Sequence, residues 1–197
     1  MTAVATVPAP TLDRPATRAD LDLLPRNIKG EIIDGVLYTQ PRPRPRHSHV
    51  AFSIGGKLYE PYSLGKGGPG GWWILGEPGI ELPSAPEVAP DIAGWRRERM
   101  PELAPDDPIR LAPDWACEVL SPSNQSYDRT VKLPFYARVG VAWLWLVEPR
   151  QRTVEVKRLR HAEWVDVATV ADDGVLSAEP FPELSIPLSE LWLPDHR

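Results

Sequence analysis

Two apolar runs, each carrying one carboxylate, constrain this chain more than any other feature. Val88-Ala89-Pro90-Asp91-Ile92-Ala93 and Trp115-Ala116-Cys117-Glu118-Val119-Leu120 both read as strands. A charge in such surroundings costs several kcal/mol unless something pairs with it. Asp91 and Glu118, 27 positions apart, are therefore expected to share a partner. A divalent cation suits two convergent carboxylates. Nine residues after Glu118 begins Tyr127-Asp128-Arg129-Thr130-Val131-Lys132, which places an ammonium on a following helix. Asp, Glu and Lys around a metal make up the apparatus of phosphodiester cleavage.

The 197 residues suit one domain with a full core, expected over 19–197. Residues 1–18, rich in Ala, Pro and Thr, read as a disordered tail and not as a signal peptide. No apolar run approaches the ~18 residues of a membrane span. The single cysteine, Cys117, cannot form an internal disulfide, and it fits a reducing cytoplasm. Next to Glu118 in a strand, its side chain should face the other way, as a buried thiol. The net charge of −5 argues against a broad basic surface. Two local basic strips remain, Arg42/Arg44/Arg46 and Arg96/Arg97/Arg99, each either a phosphate contact or solvated loop charge.

The 24 prolines punctuate many short elements. A short helix is expected at Ala19–Leu24, a hairpin turning at Asp34-Gly35, and an extended 41–46 segment. Val50, Ile54 and Leu58 mark a helical face within Ser48–Tyr59. Strands are expected at Trp72–Leu82, with a break near Pro78-Gly79, then at Val88–Trp95 and Asp114–Leu120. A helix near Arg129–Val139 should end at Gly140. Ala142–Val147 reads as a buried central strand, followed by a ribbon of Thr153–Leu159 and Glu163–Val170. The tail 180–193 should pack across the domain through Phe181, Leu184, Leu188, Leu191 and Trp192. The fold class is α/β: a mixed sheet core in the order helix, three strands, helix, strand, with added β-hairpins.

This order resembles the PD-(D/E)xK nuclease superfamily, and within it the Uma-two family of restriction endonucleases, also labelled a domain of unknown function. The residues that carry the likeness are Pro90-Asp91, Glu118-Val119-Leu120-Ser121-Pro122-Ser123, Asp128, Lys132, Tyr136, Gly140-Val141 and Trp145-Leu146-Val147-Glu148-Pro149. Glu31 within Glu31-Ile32-Ile33-Asp34-Gly35, and His47, also match family positions. The likeness spans about residues 20–193. One position departs: the superfamily pattern puts lysine two residues after the second acid, where this chain has Leu120. The resemblance implies that Lys132, from the next helix, takes that role. It also implies a restriction-endonuclease-like fold, a homodimer, and the Val119 carbonyl as a third metal ligand beside Asp91 and Glu118.

The function expected is a Mg²⁺- or Mn²⁺-dependent endonuclease acting on nucleic acid, DNA in particular, in the cytoplasm and without a membrane partner. Asp91, Glu118 and Lys132 are its expected catalytic residues. Tyr136, one turn beyond Lys132, either holds the lysine or packs in the core. Asp128 either caps the helix or joins the acids. Glu31 is either an extra acid or a surface ion-pair partner, and His47 is placed to face the cleft. His47-Ser48-His49 lacks the further ligands of a zinc site. The alternative from another class is a catalytically inactive nuclease-fold module that binds a partner.

Overall fold

The computed structural model describes residues 7–8 and 13–194. Most of the expected tail, residues 1–6 and 9–12, therefore lies outside the described residues. Its described part contains a two-residue strand β1 (Val7–Pro8) and the approach to helix α1 (Arg18–Asp22). There the Asp20 carboxylate accepts the Thr17 N–H and pairs with Arg14 at 2.8 Å.

Strands β2 (Ile28–Ile33) and β3 (Val36–Pro41) form the expected hairpin. Asp34 and Gly35 take φ of 53° and 74°, the left-handed pair that a tight two-residue turn demands. Helix α2 (Pro45–Leu58) follows, with Pro45 in its first turn, where a missing N–H costs nothing. It buries His47, Val50, Ile54 and Leu58 on one face. It then widens into a π-helical turn, Tyr59–Ser63, closed by Leu64 N–H donating to the Tyr59 carbonyl. Pro61 explains the widening: its ring would strike the carbonyl four residues back in a regular helix.

All but the last two strands divide between two sheets. A six-stranded sheet runs β11-β10-β9-β8-β7-β4, from β4 (Trp72–Gly76), β7 (Ile92–Arg96), β8 (Trp115–Val119), β9 (Trp143–Glu148), β10 (Thr153–Arg160) and β11 (Glu163–Ala171). A five-stranded sheet joins β1, β3 and β2 to β6 (Ala85–Val88) and β5 (Ile80–Leu82). Trp72–Leu82 breaks near Pro78-Gly79 as expected, but its two parts, like those of the single strand expected at Val88–Trp95, belong to different sheets. Glu77 at φ 45° turns the chain after β4, and Pro90 supplies no N–H for a continuous ladder between β6 and β7.

Within the large sheet only β8 and β9 are parallel. A parallel pair needs a crossover, supplied by α3 (Gln125–Tyr127), a π-helical turn (Asp128–Lys132) and α4 (Leu133–Val139). Pro134 accounts for this second π turn as Pro61 does for the first. Gly140, at φ 82°, ends the helix as expected. Along the chain α2, β4, β7, β8, the crossover helix and β9 follow in that order. The result is a mixed α/β fold with few helices.

The large sheet has an apolar layer on each face. Trp115, Cys117, Val119, Trp145 and Val147 point into one layer; Ala116, Leu120, Leu144 and Leu146 point into the other. Cys117 is buried, and burial pushes its thiol well up. Trp115 meets Trp145 edge-on at 5.2 Å, and Phe181 lies 5.0 Å from Trp115. The C-terminal segment adds a hairpin of β12 (Val175–Ala178) and β13 (Phe181–Pro187), so part of the tail expected at 180–193 is a strand. Phe181, Leu188, Leu191 and Trp192 are buried in the first layer, with Leu184 packed against it. No helix among the described residues is long and apolar enough to cross a membrane.

Candidate active site

Alternation along β8 turns Glu118 away from the Cys117 layer and toward the crossover helix. It is 1% exposed. Its Oε1 accepts a hydrogen bond from the Tyr136 hydroxyl at 2.6 Å and pairs with Lys132 Nζ at 2.7 Å. Lys132 is itself buried; its ammonium also lies 3.3 Å from Glu31 Oε1 and donates to the Ala89 carbonyl at 3.2 Å. Glu31 Oε1 accepts the Ala89 N–H at 2.7 Å, and Gln40 Nε2 donates to Oε2. Glu31 is therefore a buried partner of Lys132, not a surface one. Helical spacing puts Asp128, Lys132 and Tyr136 on one side of the crossover, facing the sheet.

Asp91 sits in the break between β6 and β7. Its Oδ2 accepts the Val119 N–H at 2.7 Å and lies 3.0 Å from His47 Nε2. Val119 joins the two acids: it follows Glu118 and its amide is held by Asp91. Its carbonyl is approached by the Asn124 amide at 3.5 Å. Asp128 is not a cap, because the helix begins before it, at Gln125. It is 1% exposed, and its Oδ2 has no hydrogen-bond partner. His47 Nδ1 is likewise buried without one.

The charges are unbalanced. Four buried carboxylates (Glu31, Asp91, Glu118 and Asp128) face one lysine and one histidine. Burial raises the Glu118 carboxyl, Lys132 opposes it, and Asp91 and Glu31 add to it, leaving the group at about 7. Burial and the neighbouring Glu118 hold Asp128 well above its ordinary value. Burial would lower Lys132, but Glu118, Glu31 and Asp128 outweigh it and keep the ammonium firmly protonated. Burial would raise Asp91, but His47, Lys132 and the Val119 amide hold it below the usual carboxylate range. His47 loses affinity for its proton through burial and regains more from Asp91, so its net shift is upward.

These groups open onto a cleft of about 710 Å³. Arg42, Arg44 and Arg46 lie along its rim with Arg150 and Lys29. The extended stretch expected at 41–46 ends at Arg44, because Pro45 opens the first turn of α2, and Arg42, Arg44 and Arg46 are exposed. Arg42 donates to the Arg26 carbonyl. The second basic strip is structural: Arg96 and Arg97 stack on Trp72 and Trp73 at 4.7 and 3.8 Å, and Arg99 pairs with Asp114 at 2.7 Å.

Asn124 and Arg150 carry no weight in a sequence reading. Asn124 Oδ1 accepts the Ser121 N–H at 2.6 Å and the Ser121 hydroxyl at 2.9 Å, fixing the turn that follows Glu118. The Ser-Pro-Ser-Asn run at 121–124 is the available signal, since such a cluster marks a turn and its Asn and Ser side chains bond to nearby backbone.

Among the described residues no three His, Cys, Asp or Glu side chains form a cluster able to hold a metal ion. Two carboxylates and a backbone carbonyl nevertheless make a donor set suited to Mg²⁺, which keeps several waters. The surplus of buried carboxylates and the unpartnered Asp128 oxygen are chemically compatible with a divalent cation.

A family model described as "Putative restriction endonuclease", Uma2, matches residues 18–189. A solved structure described as a putative nuclease belonging to DUF820, from Anabaena variabilis, superposes with a TM-score of 0.70 at 21% identity. The match covers 88% of this chain and 94% of that one. No curated protein matches the chain.

Proposed function

Because the chain belongs to the Uma2 family of restriction-endonuclease-like proteins, we propose that its cleft hydrolyses phosphodiester bonds in DNA with the help of a divalent cation. The observation that carries this reading is the surplus of buried carboxylates around one ammonium, beneath a rim of arginines. Asp91, Glu118 and the Val119 carbonyl would hold Mg²⁺ or Mn²⁺, which when bound polarises a phosphoryl oxygen and acidifies water.

The chain's own residues do the rest. Arg44, Arg46 and Arg150 bind backbone phosphates and draw the substrate over the cleft. Lys132 stays protonated, so it acts as a fixed positive charge beside the reacting phosphate and not as a base. Glu31 and the Ala89 carbonyl hold its ammonium in place. Tyr136 orients Glu118 through its 2.6 Å hydrogen bond. His47 and the Val119 amide fix the Asp91 carboxylate in its ionised form.

One observation favours the rival, a silent binding module: Lys132 and His47 already pair with both central acids. Plasmid DNA and RNA incubated with the protein and Mg²⁺ or Mn²⁺ separate the readings. Cleavage that needs the cation and disappears in Lys132→Met supports the enzyme. No cleavage, with no cation-induced rise in melting temperature, supports the module.

A further inference from the structure

Helix α2 and the π turn after it carry a patch that nothing among the described residues covers. Phe52 is 83% exposed, and Tyr59, two turns later, is 48% exposed. Between them on the same helical face lies Gly56. A Cβ built there would meet nothing within 4 Å, so no intramolecular contact requires a glycine at that position. Glycine weakens a helix relative to alanine. A large exposed ring one turn from an unexplained gap is a knob beside a hole on one surface.

We propose that this face binds a second copy of the chain, with the two α2 helices antiparallel about a two-fold axis that passes midway between Phe52 and Gly56 on the exposed face. A knob and a hole one turn apart are self-complementary only under a two-fold axis. In that register Phe52 of each copy seats over the partner helix's glycine gap, and the apolar face of Tyr59 is covered. The charges also match. Glu60 follows the patch at the helix's C-terminal end, whereas Arg44, Arg46 and His49 lie at its N-terminal end beside the unpaired N–H groups of the first turn. Antiparallel pairing sets the acid of each copy against the basic end of the other. Glu60 at the edge of the patch also argues against a nucleic acid as occupant. Because Arg44, Arg46 and His47 belong to the cleft, the pairing places one cleft at each end of the helix pair. The inference does not depend on what the cleft cleaves.

Sedimentation of the full chain over a range of concentrations tests it. The wild type should sediment as a dimer, and Phe52→Asp should weaken association at least ~30-fold. Gly56→Leu should do the same by filling the gap while keeping or raising the melting temperature, which guards against a folding failure in Phe52→Asp. A monomeric wild type overturns the proposal, as does a dimer that survives both substitutions. A Phe52→Asp variant that loses DNA binding without changing mass assigns the patch to nucleic acid and overturns it too.

Discussion

One oxygen of Asp91 does two jobs: Oδ2 accepts the Val119 amide at 2.7 Å and lies 3.0 Å from His47 Nε2. Through it, a residue in a break between strands holds both the first turn of α2 and the strand residue next to Glu118. Removing the imidazole leaves a buried carboxylate with one remaining hydrogen bond. His47→Ala should therefore destabilise the protein by about 3 kcal/mol in the absence of metal, read from urea unfolding midpoints. Divalent cation should restore part of the loss. An unchanged midpoint would mean that His47 is neutral and its contact with Asp91 carries little energy.

Glu118→Gln should keep the fold, because the amide oxygen still accepts from Tyr136 and Lys132. It removes a charge that Asp91 and Glu31 repel. The metal-free melting temperature should equal or exceed that of the wild type, and the rise on adding Mg²⁺ should vanish. Thermal melts of both proteins with and without the cation check this. A destabilised variant with an intact Mg²⁺ response would make Glu118 half of a structural ion pair instead.

The same carboxyl sets a pH dependence. Its folded value of about 7 lies above the ordinary 4.5, so between these values the folded state binds more protons than the unfolded state. Stability therefore falls as pH rises through that window, by about 3 kcal/mol for this group. Asp128, also shifted upward, pushes in the same direction there, and His47 does so above its ordinary 6.5. Asp91, shifted downward, contributes stability that is lost only at lower pH. Metal-free protein should melt higher near pH 5 than near pH 8, and Glu118→Gln should flatten the slope; a wild-type slope of opposite sign would contradict the charge imbalance.

Lys132→Met keeps most of the side chain's volume and deletes the only lysine among these carboxylates. Cleavage should drop by about 10³-fold, and the metal-free melting temperature should fall as Glu31, Glu118 and Asp128 lose their shared cation. Adding Glu31→Gln should recover part of the stability and none of the activity. Recovery of both would show that the lysine serves only to neutralise charge.

Arg44→Ala, Arg46→Ala and Arg150→Ala should each weaken DNA binding regardless of sequence and reduce the salt dependence of log Kd by about 1. Fluorescence anisotropy over a salt series measures this. Arg97→Ala, whose guanidinium stacks on Trp73 and donates to the Ser63 carbonyl, should leave the salt slope unchanged.

Local rules made much of the architecture readable from the sequence. The Asp34-Gly35 turn, the αL stop at Gly140, the face of α2 and the apolar run of β9 each follow from neighbours within a few residues. So do the two alternating strands expected at 153–159 and 163–170, each of which runs one residue further. What stayed hidden depends on distant partners. The division of Trp72–Leu82 and of the Val88 segment between two sheets is decided by which edges lie nearby, since the apolar pattern is the same in either sheet. The β12–β13 hairpin depends on distant partners in the same way: Phe181 gains its burial against Tyr62, Trp72, Trp115 and Trp145, and Ile186 joins the same core.

The candidate site divides in the same way. An isolated acid in an apolar run is visible in the sequence because its desolvation cost demands a partner, and that singled out Asp91 and Glu118. The identity of the partner is not local. Tertiary structure alone gave His47 to Asp91, gave Lys132 to Glu118 and Glu31 together, and put Asp128 inside the helix rather than at its cap. Sequence fixes which charges must be neutralised. Only the fold, by bringing residues 31, 47, 91, 118 and 132 into one low-dielectric space, decides which of them neutralise each other and that the carboxylates remain in excess.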